Sequence, residues 1–170
     1  MICCEGSVLL KILGIDPGYA IVGYGILNYD GYKFRPLGYG AITTEAGTDF
    51  TLRLMDIYHD METVLDTFKP DAMSIEKLFF NTNQKTGIDV AQARGVIILA
   101  AAERGVPVFE YTPLQVKQSV VGYGRAEKKQ VMEMTRSILG LASVPKPDDT
   151  ADALALAICH GHCSSAIKIN

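Results

Sequence analysis

A nearly unbroken apolar run, Val8–Ile15, stops at Asp16-Pro17-Gly18. A run of that length closed by a turn signal reads as a buried central strand, and such a strand needs other elements covering both of its faces. It also leaves a carboxylate at the strand's carboxyl end. Ile21–Asn28 reads as a second strand, and Tyr29-Asp30-Gly31 turns the chain into a third, about Tyr32–Thr43. Links this short predict an antiparallel meander.

The period then changes. Phe50, Leu54, Ile57, Met61, Val64, Leu65 and Phe68 recur at steps of three and four, one face of an amphipathic helix with Thr48 or Asp49 as its cap and Pro70 beyond its end. Ala72–Glu76 predicts a short buried strand, Thr86–Arg104 a helix stopped by Gly105, and Val106–Tyr111 a fifth strand. Helices follow at Pro113–Val121, Ala126–Leu139 and from about Asp149 to Cys163. The order predicts an α/β fold: a mixed five-stranded sheet flanked by helices on both faces.

With 170 residues, 48% apolar and 21% charged, and no repeat or Pro/Ser-rich linker, the expectation is one continuous domain. Its core should run from about residue 8 to 163, with short tails. No stretch reaches membrane-spanning length and no apolar run follows a basic start, so a cytoplasmic chain is expected. Cys3, Cys4, Cys159 and Cys163 are too few for a disulfide scaffold and read as reduced thiols. Cys159-His160-Gly161-His162-Cys163 resembles a zinc motif only superficially. Successive helical positions point about 100° apart and cannot all reach one ion, so the segment reads as a helix terminus with ordinary thiols.

Two buried strands end in acids, Asp16 after Ile12-Leu13-Gly14-Ile15 and Glu76 after Met73-Ser74-Ile75. Open α/β sheets collect their sites at such ends, and neighbouring strands would set the two carboxylates side by side. The last helix adds Asp148, Asp149 and Asp152, of which either Asp149/Asp152 or Asp148/Asp152 can share a face. Taken singly, each acid also fits a plainer place: a turn before Pro17-Gly18, a solvated strand end, or the first turn of a helix. Taken together, carboxylates converging without histidine suit hard cations, Mg²⁺ or Mn²⁺, better than Zn²⁺. Such a set suits phosphoryl chemistry.

The net charge is −3, yet the charges are unevenly spread. Met1–Glu76 holds five Lys+Arg against eleven Asp+Glu, whereas Lys77–Arg136 holds nine against five. A basic middle inside an acidic chain permits a phosphate-binding face that the total conceals. Lys77, Lys85, Lys117, Arg125, Lys128 and Lys129 supply most of it.

Several blocks occur together in one order: Ile12-Leu13-Gly14-Ile15-Asp16-Pro17-Gly18 with Gly23-Tyr24-Gly25, Ser74-Ile75-Glu76-Lys77-Leu78-Phe79, Ala91-Gln92-Ala93-Arg94-Gly95-Val96, Gln115-Val116-Lys117-Gln118-Ser119, Ala126-Glu127-Lys128 and Asp149-Thr150-Ala151-Asp152-Ala153. From about Leu10 to Cys163 the chain resembles the RuvC family of bacterial Holliday-junction resolvases. The resemblance implies an RNase H-like fold, a homodimer, four-way junction DNA as substrate, and cleavage with Mg²⁺ (or Mn²⁺), two ions per site. It matches Asp16, Glu76, Asp149 and Asp152 to the family's catalytic, metal-holding acids and so selects Asp149 over Asp148. It places Phe79 as a base-stacking ring and Lys117 and Lys128 near the active site; Lys77, Lys85, Arg125 and Lys129 join the DNA-facing set on local charge alone. It further implies coupling to the RuvA–RuvB branch-migration complex, and an interface formed by part of the small-residue stretch Gly95–Ala102. Two alternatives stand beside it. One is a catalytically silent junction-binding scaffold of the same fold; the other, from Asp16-Pro17-Gly18, is a single-lobe relative of actin-like ATPases.

Overall fold

The computed structural model describes residues 9–78 and 84–167, the side chains of 84–86 and 165–167 excepted. Strand β1 (Leu10–Asp16) is the middle of a five-stranded sheet in the order β3-β2-β1-β4-β5. β2 (Ile21–Tyr29) and β3 (Phe34–Thr43) complete the antiparallel meander, while β4 (Ala72–Glu76) and β5 (Val108–Tyr111) run parallel to β1. The β2–β3 turn closes on Asp30, whose Oδ1 accepts from the amides of Tyr32 at 3.0 Å and Lys33 at 2.8 Å. This is the side-chain turn for which the Tyr-Asp-Gly signal stood.

Two crossovers carry α1 (Phe50–Phe68) and α2 (Gln84–Glu103) over one face, where Leu13, Ile15, Ile57, Met61, Ile75 and Ile97 are wholly buried. The opposite face is covered by α3 (Pro113–Val121), α4 (Lys128–Leu139) and α5 (Asp148–Ile167), around Ile12, Leu27, Leu154 and Ile158. Alternate residues of β1 thus enter two different cores, as a strand buried on both faces requires. Helix α1 is capped by Asp49, whose Oδ1 accepts from the Thr51 amide at 2.8 Å, and it ends at Lys69 in the left-handed region, just before Pro70.

Several boundaries differ from expectation, and three of them have a cause in the packing or the caps. β5 starts at Val108 rather than Val106, because the Val106 amide closes α2 onto Ala101 O at 3.0 Å. α4 starts two residues late, behind a Glu127/Gln130 capping box. The third is a correction: α5 does not end near Cys163 but continues to Ile167, so the Cys-His segment lies inside a helix. Gly161, which looks like a breaker in sequence, is a packing residue there. A Cβ on it would stand 2.4 Å from the Phe34 ring. Among the described residues no helix is long and apolar enough to cross a membrane.

Candidate active site

Strand register brings the first two acids together. β1 and β4 are parallel neighbours paired through Ile15↔Ile75, so the residues that follow, Asp16 and Glu76, finish adjacent strands at the same end of the sheet. Antiparallel pairing on the other side sets Gly23 opposite Asp16.

That glycine admits the third element. A Cβ on Gly23 would stand 2.0 Å from the Asp149 carbonyl oxygen, and one on Gly14 would stand 1.9 Å from that of Ala153. Only residues without side chains let the α5 backbone lie directly on β1 and β2. The buried Thr150 hydroxyl donates to Gly40 O at 3.1 Å and ties the same turn to β3. The first turns of α5 therefore sit over the strand ends, and Asp149 and Asp152 arrive beside Asp16.

The electrostatics follow from this crowding. Burial, with the nearby charges of Asp152, Glu76 and Asp149 adding to it, pushes the Asp16 carboxyl up to about 8. Glu76 is raised by burial and by Asp152. Burial also raises Asp152, opposed by the Lys128 ammonium, whose Nζ lies 2.8 Å from its Oδ2. The same contact raises Lys128. Asp148 belongs to a different arrangement: its carboxylate takes Lys146 Nζ at 2.6 Å, which holds it below the usual range.

As the side chains stand, no three His, Cys, Asp or Glu residues among those described form a ready-made ligand set. The cation in contact with the cluster is Lys128. The donor chemistry nevertheless fits a hard divalent cation. The Asp16, Glu76 and Asp152 carboxyls are partly buried and feel one another's charge, a cost that a bound divalent cation would relieve. The histidines of α5 are engaged elsewhere, His160 Nδ1 with the Tyr111 hydroxyl at 2.8 Å and His162 with Ser119 at 3.1 Å.

Next to the acids a cavity of about 210 Å³ opens between α3, α4 and α5. Its floor is apolar, from Val116, Val131, Ala155 and Leu156; Glu76, Asp152, Lys117 and Lys128 stand around it. Two of the predicted basic residues thus meet two of the predicted acids. Lys77, Arg125 and Lys129 are exposed and do not line the cavity. Phe79 and the Lys85 side chain lie outside the described residues. One residue to which sequence reasoning gave no role touches the site: Arg94 of α2 donates through Nε to the Glu76 carbonyl at 3.3 Å. Its signals in the sequence are a charge within a stretch of small and apolar residues and its place in the Ala91–Val96 block.

Comparison with known proteins gives a consistent match. The family model "Crossover junction endodeoxyribonuclease RuvC" covers residues 12–160. The chain is 60% identical over 151 residues to the protein of that name from Ruminiclostridium cellulolyticum, covering 89% of this chain and 91% of that one. Against the Brevibacillus brevis protein it is 58% identical over 161 residues, 95% and 97% of the two chains. Among solved structures, RuvC of Thermus thermophilus in complex with Holliday junction substrate superposes with a TM-score of 0.84 at 35% identity, over 91% of this chain and 95% of that one.

Proposed function

The chain belongs to the RuvC family of crossover junction endodeoxyribonucleases, and from that premise we propose that it resolves Holliday junctions by nicking two strands symmetrically at Asp16, Glu76, Asp149 and Asp152. It is a divalent-metal-dependent endodeoxyribonuclease on an RNase H-like sheet. The observation that carries the site is the convergence of acids on the carboxyl ends of β1 and β4 and the first turns of α5, where burial and, after it, the neighbouring carboxylates push the Asp16 carboxyl up.

The four acids would hold Mg²⁺ or Mn²⁺, two ions to a site. Bound there, such ions lower the pKa of a water and neutralise charge on the departing oxygen. The chain's own residues do the rest. Lys128 donates to Asp152 and so opposes the rise that burial imposes on its carboxyl. Lys117 and Lys128, at the rim of the cavity, receive phosphates and set the register of the strand. Water attacks the scissile phosphorus in line, the P–O3′ bond breaks, and the products carry a 5′-phosphate and a 3′-hydroxyl. Phe79 stacks on an unpaired base beside the break, and Lys77, Lys85, Arg125 and Lys129 bind outlying phosphates.

A junction needs two matched nicks, which an isologous dimer supplies. α2 offers a face for it: Ile88, Gln92, Gly95, Leu99 and Ala102 follow one another at steps of four and three and are all exposed, Ile88 by 53% and Leu99 by 52%. A single domain, a cytoplasmic location and coupling to RuvA–RuvB complete the reading from the family. The deciding assay uses a synthetic four-way junction with Mg²⁺. The wild type should give two ligatable nicks, and Asp16→Asn should bind the junction without cutting it. Full turnover by that variant removes the assignment.

A further inference from the structure

The backbone of Glu76 stands where the sheet gives out. Pairing with β1 stops at Ile15↔Ile75, and on the β5 side the Lys77 amide still donates to Tyr111 O at 2.9 Å. The Glu76 carbonyl turns instead to a side chain, the Nε of Arg94 at 3.3 Å. The terminal nitrogen of the same guanidinium pairs with the Glu110 carboxylate of β5. Arg94 is largely covered, with 14% of its side chain exposed, whereas Glu110 is 44% exposed.

This contact joins the two sides of the sheet. Arg94 reaches in from α2, on the α1/α2 face, while the Glu76 side chain lines the cavity between α3, α4 and α5. A planar guanidinium presents its donors in a fixed fork, so holding the carbonyl and the β5 carboxylate at once leaves the Glu76 peptide little freedom to rotate. The Glu76 carboxylate, three bonds beyond Cα, takes its point of departure and its allowed rotamers from that peptide. We propose that Arg94 is a positioning residue that fixes the Glu76 backbone and thereby aims its carboxylate at Asp16 and Asp152.

A purely structural role is poorly matched to the surroundings. α2 is seated without Arg94: Ala93, Ile97, Ala100 and Ala101 are wholly buried, and Arg104 ties its end to α1 through Glu62 at 3.0 Å and Asp66 at 2.6 Å. Removing the Arg94 guanidinium should leave the fold and the DNA-binding face intact while loosening one acid. Displacement of a reacting group by about 1 Å can cost on the order of a hundredfold in rate.

The inference rests on the acids being the nuclease site, and the experiment separates the two claims. Full-length wild type, Arg94→Gln and Glu110→Gln are compared in four measurements: thermal midpoint, junction affinity in EDTA, single-turnover cleavage at saturating enzyme across a Mn²⁺ titration, and Mn²⁺ binding to DNA-free protein by electron paramagnetic resonance. For Arg94→Gln the expected result is cleavage at least tenfold slower and Mn²⁺ bound severalfold more weakly. Its junction affinity should stay within twofold of wild type and its midpoint within a few degrees. Glu110→Gln, which frees one side of the fork but leaves the carbonyl contact in place, should lose only part of the rate that Arg94→Gln loses. The proposal is overturned if Arg94→Gln cleaves within twofold of wild type, if its rate and junction affinity fall together, or if Glu110→Gln loses as much as Arg94→Gln. Should Arg94→Gln fail to fold, Arg94→Lys is judged by the same split between rate and affinity. A wild type that leaves the junction uncut would sink the nuclease reading itself.

Discussion

Replacing Asp16 by Asn should destroy cleavage and, without metal, stabilise the fold. The Asp16 carboxyl keeps its proton to about pH 8, against an ordinary value of 3.8 for an unfolded chain. Because the folded value is the higher one, the associated stability is fully present below about pH 4, declines as the pH rises and is gone above about pH 8. The loss by pH 7 is on the order of 4 kcal/mol, from about 1.4 kcal/mol for each pH unit in which only the unfolded state ionises. Asn has the shape of the protonated acid and never ionises, so it removes the penalty. For a chain of this length about 4 kcal/mol corresponds to roughly 10 °C in melting temperature. The assay is thermal unfolding by circular dichroism in EDTA, from pH 5 to 9, for wild type and Asp16→Asn. The wild-type midpoint should fall towards pH 8 and then level, with the variant's curve flatter and higher at pH 8. Added Mg²⁺ should raise the wild type and leave the variant nearly unmoved. Parallel curves, or a variant less stable at pH 8, would refute the argument that burial and the neighbouring acids raise the Asp16 carboxyl.

Three further outcomes are expected. Gly23→Ala puts a methyl group 2.0 Å from the Asp149 carbonyl oxygen, so α5 must lift; a loss of about 1–3 kcal/mol in urea unfolding should accompany a cleavage rate down a hundredfold or more. Junction affinity should fall steeply with salt, and Lys117→Ala should reduce the slope of log affinity against log salt by roughly one, as measured by fluorescence anisotropy. Leu99→Glu, on the exposed face of α2, should yield a monomer by light scattering that no longer makes paired nicks.

Much of this protein is written locally in the chain. Apolar runs, periodicity and turn signals placed the five strands and five helices of the described residues, because burial and chain reversal leave local patterns whatever the distant partners are. The abrupt charges after Ile15 and Ile75 marked Asp16 and Glu76, since an acid closing a buried strand needs a partner. Local patterning did not extend to what depends on long-range approach. Spacing alone left Asp148 and Asp149 equivalent; the close seat of α5 on Gly23 sends Asp149 to Asp16, while Lys146 and Lys128 take Asp148. The Cys159–Cys163 segment read as a helix terminus because the aromatic rings that Gly161 packs against belong to the β2–β3 hairpin, far away in sequence. The Lys128–Asp152 contact and the grip of Arg94 on the Glu76 carbonyl have no local signature at all. Both are made by side chains reaching between elements whose relative placement only the assembled sheet fixes, and the shifted acidities exist only once that assembly has excluded water from the carboxylates.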